Sequence, residues 1–200
     1  MHLLIVTDIF GRTSCTDTLM ASLSDRYVSM EIIDPYKGVE IDFASETEAY
    51  EYFQTTIGLN GYIDKLLHHL RTDIKDCGRH LLGFSVGGSA LWAASAEFKS
   101  EQSIKGICFY SSQIRNFLHL KPQWPIDLYF PKSEAHFEVK QVIEALSSTP
   151  RVQCITTPFL HGFMNEKSVN YNSSGYKQHL SLLRTIEFWE KGAPLTTTNP

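Results

Sequence analysis

The chain has 200 residues, 42% of them hydrophobic and 20% charged, with a formal net charge of −4 at pH 7. That length suits one domain with a sizeable core and is short for two. The charges form neither a basic stripe nor an acidic block, which argues against nucleic acid or an anionic membrane as the main partner and points to a small molecule.

Strand-like and helix-like segments alternate along the whole chain. LLIVT (3–7) reads as a strand, followed by a turn and a helix over Thr16–Ser24. MEIID (30–34) reads as a second strand, ended by the Asp34-Pro35 break. From Tyr62 to Ile74, the residues Ile63, Leu66, Leu67, Leu70 and Ile74 recur at helical spacing. HLLGFS (80–85) is a strand that leads into a small-residue helix from Gly87 to Phe98. GICFYS (106–111) and IDLYF (126–130) are further strands, and the second precedes a helix with Val139, Val142, Ile143 and Leu146 on one face. VQCITTPF (152–159) is the last strand, and a closing helix carries Leu180, Leu183, Ile186 and Trp189.

Strands that read as unbroken apolar runs are buried on both faces, as in a mostly parallel sheet with helices on each side. The βα alternation predicts an open, doubly wound sheet, whose ligands bind at the carboxyl ends of the strands. One domain is expected over 1–192, with a polar tail over 193–200 that frays. The opening MHLLIVTDIF lacks a cationic segment and meets Asp8 early, so it does not read as a signal peptide, and no run reaches membrane-spanning length. Cys15, Cys77, Cys108 and Cys154 form no CxxC pair and no metal-ligand spacing, so neither a disulfide framework nor a metal is expected. A reducing cytoplasm follows as the expected location.

Gly83-Phe84-Ser85-Val86-Gly87 matches G-x-S-x-G, with an apolar strand before it and a helix opening behind it. This is the context of a nucleophile elbow, in which a serine sits on a strained strand-to-helix turn facing the positive end of the helix dipole. A plain helix cap is the competing reading. A phosphate loop lacks both G-x-G-x-x-G and a Walker lysine here. Serine needs a base to take its proton, and of the eight histidines His161 is best placed, in the loop after the last strand. His68, His69 and His179 read as solvated helix positions, and His119 has no clear placement.

The order Ser…acid…His puts the acid after IDLYF, where Glu134 is the one carboxylate before the next helix. Asp127 starts its strand and lies at the wrong edge, Glu138 belongs to the first helical turn, and His136 is close enough to complicate the assignment. The loop TDIFG after the first strand should supply half of an oxyanion hole through the Ile9 N–H, with Val86 N–H as the other half. Asp8 reads either as an acid at the pocket floor or as a turn residue. Phe10, Tyr36, Trp124 and Tyr129 are candidates for an apolar pocket, although aromatics more often fill cores.

Together the loop TDIFG, the elbow GFSVGG, the stretch PIDLYFPKSEAHF and the segment LHGFMN with its following Tyr-bearing loop resemble the dienelactone hydrolase family over nearly the whole chain. The resemblance implies an α/β-hydrolase fold without a large cap, no metal or cofactor, and hydrolysis of a small-molecule ester or lactone. It implies Ser85 as nucleophile, Glu134 as acid, His161 as base, and Ile9 with Val86 as oxyanion donors. Ser85 stands where dienelactone hydrolase has cysteine, Glu134 and Asp8 stand where the family has aspartate and glutamate, and the early antiparallel strands are missing. A general carboxylic-ester hydrolase is therefore the expectation. Two alternatives stay open: a flavodoxin-like module holding a phosphate at Gly11-Arg12-Thr13-Ser14, and an inactive hydrolase fold used as a scaffold.

Overall fold

The structure, a computed structural model, describes residues 1–73, 77–100 and 103–186; Ile74, Trp189 and the expected tail from 193 lie outside the described residues. Strands β1 (His2–Val6), β2 (Ser29–Ile33), β3 (Arg79–Phe84), β4 (Ile104–Phe109), β5 (Ile126–Phe130) and β6 (Val152–Thr156) form a six-stranded sheet in the order β2-β1-β3-β4-β5-β6. Each neighbouring pair is parallel. The helices are α1 (Ser14–Ser22), α2 (Glu46–Thr56), α3 (Gly58–Thr72), α4 (Val86–Glu97), α5 (Val139–Leu146) and α6 (Ser173–Thr185), with a 3₁₀ turn at Ser112–Asn116.

Strand alternation distributes the core over both faces of the sheet. Leu4, Val6, Leu81, Cys108, Leu128 and Phe130 pack with residues of α2, α3, α4 and α5. Leu3, Ile5, Leu82, Phe84, Ile107 and Phe109 pack on the other side with α1 and α6. Every residue of β3 is buried, as expected of a strand covered on both faces. Helix α3 buries Tyr62, Ile63, Leu66, Leu67 and Leu70, the stripe read from their spacing.

Helix α2 is not among the elements expected from apolar spacing. Its start carries an N-terminal signature: the Ser45 side chain accepts from the Glu48 N–H at 3.1 Å, and Glu48 Oε2 accepts from the Ala44 N–H at 2.6 Å. This is a capping box displaced by one residue. The helix is otherwise polar and buries only Ala49 and Phe53, which is why its apolar pattern is faint. No described helix is long and apolar enough to cross a membrane.

Two helix histidines depart from the solvated reading. His179 is 4% exposed, its Nδ1 lies 2.8 Å from the Gly175 carbonyl, and its ring packs edge-on to Phe109, Tyr129, Phe159 and Phe163. It faces inward because Gly175, His179 and Leu183 share the buried stripe of α6. His69 is half-buried, 3.5 Å from Glu31 and 3.6 Å from Asp73. His68 is exposed as expected.

His80 is buried like His179, with Nδ1 2.8 Å from the Tyr27 hydroxyl. Burial, aided by the charges of Lys105 and Arg26, pushes its pKa down to about 4. An unfolded histidine titrates near 6.5, so below that pH the unfolded chain binds the extra proton and the folded one does not. Stability is therefore expected to fall as pH drops from about 6.5 to about 4, by about 3 kcal/mol from this residue. Urea unfolding at pH 7 and pH 4.5, with His80→Gln as the comparison, checks it. An unchanged slope in the variant would remove His80 as the cause.

Candidate active site

Sheet order places the site. The chain runs from β1 outward to β2, then crosses back to β3 and continues the other way. The loops after β1 and β3 therefore diverge, and a crevice opens between them at the carboxyl edge of the sheet. TDIFG lies on one side of that crevice and Ser85 on the other.

Ser85 joins β3 to α4 with φ 51° and ψ −116°, a region that strains any residue with a Cβ. Its N–H donates to the Phe109 carbonyl at 3.0 Å, while its own carbonyl accepts from the N–H and the hydroxyl of Ser89, both at 3.0 Å. These bonds hold the turn and leave the side-chain hydroxyl available. The surrounding glycines are needed for close approach. A Cβ on Gly87 would overlap the carbonyl oxygens of Val6 and Thr7, and one on Gly88 would overlap Ser111 Oγ. Backbone cannot retreat cheaply, so Gly87→Ala is expected to lower stability by about 3 kcal/mol or more. That corresponds to a drop in melting temperature of roughly 6–12 °C, and a change within about 1 °C would show that this contact is looser than drawn.

Ser85 Oγ lies 2.9 Å from His161 Nε2, and His161 Nδ1 lies 2.7 Å from Glu134 Oε1. The three residues come from loops after β3, β6 and β5, brought to one edge by the parallel sheet. The Glu134 and His161 loops are tied together by the Lys132 N–H, which donates to the Phe159 carbonyl at 2.8 Å, and Arg115, in the turn after β4, sits 5.1 Å over the Phe137 ring. Asn170 Nδ2 donates to the His161 carbonyl at 3.0 Å. His136 and His119 are exposed and take no part in this chain of hydrogen bonds. Asp127 pairs with Lys105 at 2.8 Å, within β5. Glu138 stands at the N-cap position on extended backbone, one residue before the first turn of α5, and its side chain makes no capping hydrogen bond.

The loop after β1 is pinned from three directions. Asp8 Oδ1 accepts from the Phe10 N–H at 3.0 Å, the Gly11 N–H donates to the Asp8 carbonyl at 3.1 Å, and the Tyr36 hydroxyl donates to the Ile9 carbonyl at 2.6 Å. Among the described residues the Ile9 N–H has no acceptor within the protein. Neither does that of Val86, the first residue of α4, where helix geometry supplies none. Asp8 Oδ2 accepts from Asn165 Nδ2 at 2.7 Å and so links this loop to the His161 loop. Burial raises the Asp8 carboxyl above its ordinary range, against the opposing hydrogen bonds from Asn165 and Phe10.

Of the aromatic pocket candidates, Trp124 and Tyr129 are core residues. Trp124 Nε1 donates to the Phe98 carbonyl at 3.1 Å, and Tyr129 stacks on Phe109 at 4.8 Å. Phe10 is buried and does not line the cavity beside the loop, whereas Asp8 does. Asn165, Asn170 and Tyr110 were not read as site residues from the sequence; loop polar residues and a strand-end tyrosine carry no spacing signal. Elsewhere, Glu31, His69 and Asp73 bring ligand-type atoms within 4.8 Å of one another. This group adjoins Arg79, at the opposite end of β3 from Ser85.

The sheet order alone is shared with flavodoxin-like folds, so comparison decides. A Klebsiella pneumoniae protein assigned as a dienelactone hydrolase superposes with a TM-score of 0.69 at 14% identity, over 91% of this chain and 84% of that one. A dienelactone hydrolase-like promiscuous phosphotriesterase from metagenomic libraries gives 0.64 at 10% identity, over 92% and 83%. Mouse alpha/beta hydrolase domain-containing protein 10 gives 0.62 at 11% identity, over 91% and 87%. The chain has the α/β-hydrolase fold. In sequence it is 35% identical over 115 residues to YczH, an uncharacterized protein of Bacillus subtilis, a match that spans 55% of either chain. No family model matches. In the terms of the α/β-hydrolase fold, Ser85 occupies the elbow and the loop after β1 faces it.

Proposed function

We propose that this protein is a serine hydrolase that cleaves a carboxylic ester or lactone of a small molecule through an acyl-enzyme on Ser85, as a relative of the dienelactone hydrolases. The observation that carries this reading is the hydrogen-bonded series Ser85–His161–Glu134, with its serine on a strained elbow at the carboxyl edge of the sheet. Ser85 Oγ attacks the substrate carbonyl as His161 Nε2 takes its proton, and Glu134 stabilises the resulting imidazolium. The tetrahedral oxyanion accepts hydrogen bonds from the Ile9 and Val86 N–H groups. His161 then returns the proton to the departing alcohol oxygen as the carbon–oxygen bond breaks. Water, deprotonated by the same imidazole, attacks the acyl-enzyme, and Ser85 leaves with the proton restored.

Labelling with a fluorophosphonate probe tests the reading. Covalent modification should map to Ser85, disappear in Ser85→Ala, and accompany turnover of p-nitrophenyl esters. A protein that neither labels nor hydrolyses any ester or lactone across a range of acyl lengths would be a scaffold built on this fold.

A further inference from the structure

Beside the elbow lies a cavity of about 30 Å³ walled by Asp8, Cys15, Thr16, Leu19, Tyr110 and Asn165, among others. Tyr110 follows β4 with φ 40°, a conformation that an aromatic residue adopts only under constraint. It is 1% exposed, its ring lies 5.0 Å from that of His161, and its hydroxyl proton has no acceptor among the described residues. The backbone group facing it is the Met164 N–H, itself a donor, so the phenolic proton lacks an acceptor. Across the cavity, Asp8 uses one lone pair of Oδ1 on Phe10 and one of Oδ2 on Asn165, and each oxygen can accept again.

A buried donor without an acceptor and a buried acceptor with spare capacity thus share one small space. A hydroxyl satisfies both, accepting from Tyr110 and donating to Asp8. A carboxylate would meet the Asp8 charge, and an ammonium would leave the phenolic proton unmatched. The inner volume admits one or two water-sized groups, which suits a short arm. Its walls adjoin the reacting atoms: Asp8 precedes Ile9, Phe84 precedes Ser85, and Tyr110 underlies His161. We propose that this cavity is a subsite for a hydroxyl on a short arm of the substrate, close to the scissile ester.

The proposal rests on the serine-hydrolase reading, and the experiment separates the two. Fluorophosphonate labelling first establishes whether Ser85 is reactive. Then kcat/KM is compared for p-nitrophenyl glycolate against acetate, and for 2-hydroxyethyl acetate against ethyl acetate, which place the hydroxyl on the acyl and alcohol side respectively. A preference of roughly tenfold or more for the hydroxylated member of either pair is expected, and the pair that shows it assigns the side. Tyr110→Phe should bring that ratio toward one, as should Thr16→Leu, which fills the cavity from α1. Labelling with a ratio near one in both pairs overturns the subsite, and so does a ratio that survives both substitutions. No labelling overturns the underlying reading instead.

Discussion

Ser85→Ala is expected to lower kcat/KM for a p-nitrophenyl ester by at least about a thousandfold, and His161→Ala by a similar factor. The double variant should lose little more than either single one. The reason is geometric. Serine at neutral pH is a weak nucleophile, and in the proposed reaction the 2.9 Å contact with His161 Nε2 is the route by which it loses its proton in concert with attack. Removing either partner removes the same step, so the losses do not add. What remains comes from the oxyanion donors and substrate binding. Steady-state kinetics on the four proteins check this, with circular dichroism showing that each is folded. Near-native turnover in both single variants would mean that hydrolysis runs elsewhere.

Glu134→Gln should reduce kcat by about a hundredfold to ten-thousandfold with KM little changed. In the native arrangement the carboxylate accepts at 2.7 Å from His161 Nδ1, which leaves Nε2 unprotonated and facing Ser85. A glutamine can offer its amide N–H at that position. The imidazole then accepts at Nδ1 and carries its proton on Nε2, the wrong tautomer for a base. Only 11% of the Glu134 side chain is exposed, so water does not readily replace the lost acceptor. Glu134→Asp keeps the acceptor on a shorter arm and should recover part of the rate. His136→Ala, on an exposed residue two positions away, should behave as the native protein. A glutamine variant with native kcat would dismiss Glu134 as the orienting acid.

The secondary structure was legible wherever burial imposes a period or an unbroken apolar run. The strand LLIVT, the helix stripe from Ile63 to Leu70 and the strand IDLYF fall where they were read. Helix α2 was not, because it buries little and its start is marked by a cap, which is a local signal of only a few residues. His179 shows the converse failure. A histidine on an amphipathic helix is polar by composition, yet its place on the Gly175–Leu183 stripe carries it into an aromatic nest. Polarity counts the side chain; burial depends on which neighbours surround it.

The sequence by itself determined the parts that local chemistry dictates: a parallel α/β sheet from its apolar runs, an elbow from G-x-S-x-G, and the chain order of Ser85, Glu134 and His161. Only the tertiary structure decided that these three side chains meet, that Asp8 joins the loop after β1 to the His161 loop through Asn165, and that Tyr110 keeps a hydroxyl proton without an acceptor beside them. Those facts depend on contacts between residues 27 to 157 positions apart, made adjacent by the order of the strands. Spacing along a chain encodes which face a residue takes; it does not encode what lies across from it.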